Sequence, residues 1–184
     1  MQSLPVAEFR RLVERELLRR NLAKVKLPGE TFPAFCRPSL EVRRFFAPHA
    51  MKRPWGNVLL GVLGVEVPAY ARWLASKGQS PRLARLTYYI SNERQFIDPP
   101  SVVTNADLPA LDSWIDRIVS RCDGLPADFR EIARLRSQPF GEGARHLADN
   151  PQFWTTYDEW RATARKGGEL GRLPICERRS ARDR

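Results

Sequence analysis

Three features of the sequence predict an α+β fold: an antiparallel or mixed sheet of about four to six strands, with helices packed on one face and a C-terminal helical extension. The first is an apolar run, Trp55 to Pro68, in which the valines and leucines from Val58 to Val67 are broken only by Gly61, Gly64 and one acid. The second is the set of short, turn-bounded segments that precedes it. The third is the helical spacing of apolar residues at the start of the chain and through its second half.

The apolar run reads as the central strand. It is too short and too Gly-interrupted to span a membrane, which needs about 20 apolar residues. Its glycines suggest a bend or a close backbone approach. Pro68 then stops the ladder and fits the first turn of a helix over 69–77, with Gly78 as its stop and Tyr70, Trp73 and Leu74 on the side that would cover the sheet.

From the N-terminus, Val6, Phe9, Val13 and Leu17 recur at helical spacing over 5–21, while Arg10, Arg11, Arg15 and Arg19 lie mostly off that stripe. Val25 and Leu27, the turn signal Pro28-Gly29-Glu30 and the return 31–37 predict a hairpin, with Pro33 favouring an edge position. A third strand is expected over 40–46, then a loop over 47–54. Downstream, Thr87-Tyr88-Tyr89 favours a strand within 82–91, Pro99-Pro100 closes a loop, and Val102-Val103 offers a short last strand.

The clearest helix follows. Asn105 or Asp107 can cap it, Leu108, Leu111, Ile115, Ile118 and Cys122 recur at steps of three and four, and Gly124 stops it. Pro126 opens a shorter helix carrying Phe129, Ile132 and Leu135. A helical pair over 143–149 and 151–166 comes next, the second with Phe153, Tyr157, Trp160 and Ala164 on one face, where spacing assigns them to the core rather than to base stacking. The expected organisation is an α+β domain over 1–140, a helical extension packed on it over 141–168, and a basic flexible tail over 169–184.

The 184 residues carry a net charge of +10, concentrated in the first third, where residues 1–60 hold 12 Lys and Arg against 5 Asp and Glu. Such a field favours an acidic partner, protein or nucleic acid, through steering and salt-sensitive attraction. The three cysteines, Cys36, Cys122 and Cys176, are odd in number and widely spaced, which fits reduced thiols. With no signal-peptide pattern at the start, a cytoplasmic location is expected.

No motif demands catalysis. His49 and His146 stand nearly a hundred residues apart, and neither has metal-ligand spacing. A Cys36–His49 pairing across adjacent strands would be needed for nucleophilic chemistry. Gly61-Val62-Leu63-Gly64 lacks the lysine and third glycine of a phosphate loop, and Asp112 with Asp116 or Asp158 with Glu159 look like ordinary exposed helix acids. No catalytic residue, metal or cofactor is expected. One constellation stands out as a binding surface: Arg43, Arg44, His49, Lys52, Arg53 and Trp55, in a stretch without an acid from Phe45 to Val65. Arginine and tryptophan are frequent anchors of protein interfaces, and the cations could also clamp phosphates.

The opening Glu8-Phe9-Arg10-Arg11-Leu12-Val13, the hairpin return Thr31-Phe32-Pro33-Ala34-Phe35-Cys36-Arg37, the unit Leu60-Gly61-Val62-Leu63-Gly64-Val65-Glu66-Val67-Pro68 and the late Asp123-Gly124-Leu125-Pro126 resemble, over residues 1 to about 140, a family of small bacterial α+β domains of unknown function. Members of such families are suspected immunity proteins of polymorphic toxin systems. The resemblance implies a non-catalytic protein-binding module that occludes an acidic toxin or other protein partner, and it supplies no catalytic residues. The alternative expectation is a nucleic-acid-binding accessory protein using the same basic surface.

Overall fold

A computed structural model of the chain describes residues 4–28, 30–37, 42–126, 129–134 and 150–166. Five strands form one antiparallel meander in the order β1 to β5: β1 Ala23–Lys26, β2 Pro33–Cys36, β3 Arg43–Arg53, β4 Gly56–Glu66 and β5 Arg85–Tyr89. Helices α1 Val6–Arg19, α2 Pro68–Ser76, α3 Leu108–Asp123, α4 Phe129–Arg134 and α5 Pro151–Lys166 complete the α+β fold. The apolar run is β4, an internal strand paired with both β3 and β5.

Strand parity decides which residues meet the helices. Phe35, Phe46, Ala50, Leu59, Leu63, Val65, Leu86 and Tyr88 point to one face and join a core with the buried stripes of all five helices. That core includes Phe9, Val13 and Leu17 of α1, Tyr70 and Leu74 of α2, Trp114 and Ile118 of α3, and Tyr157, Trp160 and Ala164 of α5. The aromatic stripe of α5 is therefore core, packed on Tyr70 and Phe129 in mostly edge-to-face geometry. Trp114 adds a directional tie, its indole donating to the Leu59 carbonyl at 3.1 Å. The opposite face of the sheet holds a smaller cluster, Leu27, Ala34, Cys36, Phe45 and Ala47, to which no described helix contributes.

Local chemistry sets the helix ends. Asn21 takes φ of 60° after α1, so that Leu22 N–H reaches back to the Leu17 carbonyl at 3.3 Å and Leu22 is buried against the same core. Pro68 opens α2, and Gly78, at φ of 71°, follows its end. Asp107 stands at the N-cap of α3, as expected, but its side chain turns back to a short 3-10 turn, Asn105–Asp107, that is capped by Thr104. Its hydroxyl accepts from Ala106 N–H, while the Asp107 carboxylate accepts from Thr104 N–H at 2.8 Å, a reciprocal capping box.

The β3–β4 pair departs most from the sequence expectation. In place of a strand ending at Phe46 and a loop over 47–54, β3 continues through Pro48 to Arg53, and only Pro54 and Trp55 form the turn. Pro48 is tolerated because pairing with β2 has ended by then; that ladder joins only Phe35 to Phe46 and Cys36 to Phe45. The expected strand at Val102-Val103 is a single bridge from Val102 to Asn57. Leu135, the segment over 143–149, His146, Cys176 and the tail from 169 lie outside the described residues.

Glu66, at 0% exposure, closes the far end of β4. The register places it between Arg43 on β3 and Arg85 on β5, and both donate to it, at 2.8 and 2.9 Å. Arg85 also reaches Glu30 at 2.9 Å and the Pro28 carbonyl at 3.0 Å, which ties the β1–β2 turn to the sheet. Glycine is required two rows along. A Cβ on Gly64 would lie 2.5 Å from the Phe45 ring and 2.6 Å from the Leu86 carbonyl.

Two stability outcomes follow. Glu66→Ala leaves two cations facing a dry site and should cost about 3–5 kcal/mol, the usual range for breaking a buried pair, measured by urea unfolding. Gly64→Ala should cost roughly 1–3 kcal/mol by overpacking, and the same measurement checks it.

Candidate partner-binding site

A β-strand advances about 3.3 Å per residue, so cations adjacent in sequence are strung out along β3 rather than gathered in a loop. Arg43 and Arg44 lie at one end. Arg43 is engaged by Glu66, and the Nε of Arg44 is buried with no hydrogen-bond partner among the described residues. Lys52, Arg53 and Trp55 belong to the other end, about 26 Å away when the eight steps from Arg44 to Lys52 are counted, and His49 lies between, about 10 Å along the strand from Lys52 and on the opposite face of the sheet. The structure thus brings Lys52, Arg53 and Trp55 together at the turn, and it separates Arg43, Arg44 and His49 from them.

At the hairpin tip Lys52 and Arg53 are exposed, and Trp55 is 63% exposed; His49, in mid-strand, is exposed as well. No acid among the described residues forms an ion pair with Lys52 or Arg53. The turn is held from behind: Ser101 Oγ donates to the Trp55 carbonyl, and a Cβ on Gly56 would collide with that hydroxyl at 2.2 Å. Asn57, buried at the base, donates from its amide to the Leu4 carbonyl at 2.7 Å, fixing the start of α1 to the hairpin. Arg10 of α1 extends the positive surface, its Nη2 lying 3.5 Å from the Ala50 carbonyl. Sequence spacing hid that neighbour, since forty residues separate Arg10 from Ala50.

Elsewhere one set of arginines is matched to acids. Arg20 reaches Asp116 at 2.6 Å and Glu16 at 3.1 Å, Arg37 holds Asp123 at 2.7 Å, and Arg121 holds Glu93 at 2.7 Å. Glu93 also accepts from the Tyr88 hydroxyl at 2.6 Å. Arg19 and Arg20 draw the Asp112 carboxyl below its ordinary range, Arg20 by the larger effect. Asp112 and Asp116 are accordingly partners in the α1–α3 contact.

His49 and Cys36 share a sheet face but do not meet. Cys36 is opposite Phe45 in the register, four residues from His49 and so about 13 Å along the strand. Cys36 is buried, whereas His49 is exposed. Burial pushes the Cys122 thiol up to about 12, far from a nucleophile's range. Among the described residues no three His, Cys, Asp or Glu side chains gather as metal ligands, and no helix is long and apolar enough to cross a membrane. No protein-family model, curated protein or solved structure matches the chain.

The Cys122 environment makes a pH prediction. Its folded-state value lies above the ordinary 9.0, so the neutral thiol is favoured by folding. Stability should be insensitive to this group below about pH 9, then fall as pH rises toward about 12, where the unfolded thiol ionises and the folded one does not. Cys122→Ala should flatten that alkaline decline in urea midpoints, and alkylation mapping at pH 8 should leave native Cys122 unmodified.

Proposed function

We propose that the chain is a non-catalytic protein-binding module that engages an acidic protein partner through the tip of the β3–β4 hairpin and acts by occlusion, as an immunity protein occludes a toxin. The observation that carries this reading is the sorting of the cations. Arg20, Arg37, Arg43, Arg85 and Arg121 are matched to acids, while Lys52 and Arg53 stand exposed and unmatched beside Trp55. An exposed tryptophan flanked by free cations has the make-up of an interface anchor, an aromatic side chain ringed by charge that steers an acidic surface toward it.

The sheet face beside the tip favours a protein over a nucleic acid. It presents Met51, Leu60 and Val62, half-buried, and Tyr89 at 63% exposure, with few cations among them. Tracking a phosphate backbone calls for a continuous positive groove, whereas an apolar strip rimmed by charge suits a protein surface.

The experiment compares the wild-type chain with a Lys52→Glu, Arg53→Glu, Trp55→Ala variant in two assays. One is capture of binding proteins from native host lysate, identified by mass spectrometry; the other is anisotropy with labelled DNA and RNA. The expected result is an acidic protein captured by the wild type, whose affinity falls about thirtyfold or more in the variant, in line with loss of a hot spot worth roughly 2 kcal/mol. Nucleic-acid binding that persists near physiological salt and is lost in the variant would transfer the assignment to the nucleic-acid reading.

A further inference from the structure

The pairing geometry of the hairpin exposes a second recognition element. Asn57 exchanges both backbone hydrogen bonds with Val102, at 2.9 and 2.8 Å, so its N–H and C=O point away from β3. Its register partner Lys52 therefore turns its own N–H and C=O away from β4, toward the outer edge of the sheet, and alternation does the same for Ala50 and Pro48. Pairing with β2 ends at Phe46. Among the described residues the amides of Ala50 and Lys52 meet no acceptor, and the outward carbonyls of this stretch meet only the long contact from Arg10 to Ala50. A row of two donors and three acceptors is left at the edge of an eleven-residue strand.

We infer that this edge accepts one extended segment of the acidic partner as an added strand, an inference that rests on the protein-binding reading above. Main-chain pairing would be with Ala50 and Lys52, each exchanging two hydrogen bonds, and Pro48 accepting one more. The charges specify the segment's chemistry. Residues paired with Ala50 and Lys52 share the helix-side face, where Arg10 lies across the Ala50 carbonyl and Lys52 projects. Acids at positions i and i+2 of the incoming strand therefore meet Arg10 and Lys52. The residue between them faces the opposite side, beside half-buried Met51, where a β-branched apolar side chain fits. Ala50 is 6% exposed, and Arg10 occupies the acceptor that the incoming N–H would take. Binding thus exchanges a long 3.5 Å contact for a main-chain bond and frees Arg10 for a carboxylate.

The test pans a short random-peptide library against the full chain and follows amide hydrogen exchange by NMR with an enriched peptide. The expected result is enrichment of acid-X-acid peptides with a β-branched or apolar X, exchange at Ala50 and Lys52 slowed about tenfold or more, and affinity reduced about tenfold or more by Lys52→Glu or by N-methylation of the peptide backbone. Acidic peptides that bind without slowing Ala50 and Lys52 overturn edge pairing and leave the acidic-partner reading in place. Enrichment of peptides without acids, or of none, overturns both.

Discussion

Everything in this fold depends on one ladder, the pairing of β3 with β4 from Arg43↔Glu66 to Arg53↔Gly56. A two-residue turn holds its register, and strand side chains alternate, so a slip of one residue would carry either Phe46 and Ala50 or Leu59 and Leu63 from the helix-covered core to the other face. The same register brings Glu66 between Arg43 and Arg85 and sets Asn57 against Lys52. Core, buried ion cluster and exposed tip are thus outcomes of a single alignment.

That alignment also divides the positive charge. At the Glu66 end, strands on both sides supply arginines to one dry carboxylate, and the cluster is neutralised as it is buried. At the turn end β4 contributes Gly56, Asn57 and Val58, none of them acidic, so Lys52 and Arg53 keep their charge facing outward. A chain that is basic overall thus uses part of its charge inside the fold, where arginines such as Arg20, Arg37, Arg43, Arg85 and Arg121 fix elements against one another.

How much of this was legible in the sequence depends on whether the signal was local. The apolar run, the stripes of α1 and α3, and the Pro68 start and Gly78 stop of α2 were all readable, because periodicity and backbone restriction act within a few residues. The stretch 47–54, expected as a loop, is mostly strand, since Pro48 is costly only where a neighbour strand would need a donor from its nitrogen, and that is a tertiary fact. The clustering of Arg43 and Arg44 with Lys52 misled because a loop would have gathered what an extended strand spreads apart. The lone acid in the apolar run was the unused clue, since a buried carboxylate requires cationic partners somewhere in the fold. Arg10 carried no such mark; only packing of α1 across the sheet brings it to Ala50.

An open strand edge is ordinarily a hazard, and lysine, arginine and proline along it are the usual protection against pairing with another copy. Pro48, Lys52 and Arg53 fit that role, and Arg10 adds a cation over the Ala50 carbonyl. Protection by charge is not neutral toward all partners, however. The cations repel a second basic edge, and a neutral strand would have to cover Arg10 and Lys52 without compensation. A strand with acids two residues apart meets them with opposite charge and keeps the main-chain bonds as well. On the proposed reading, the same cations that would guard the edge against a second copy would also favour an acidic strand, so guarding and specificity would rest on one set of residues.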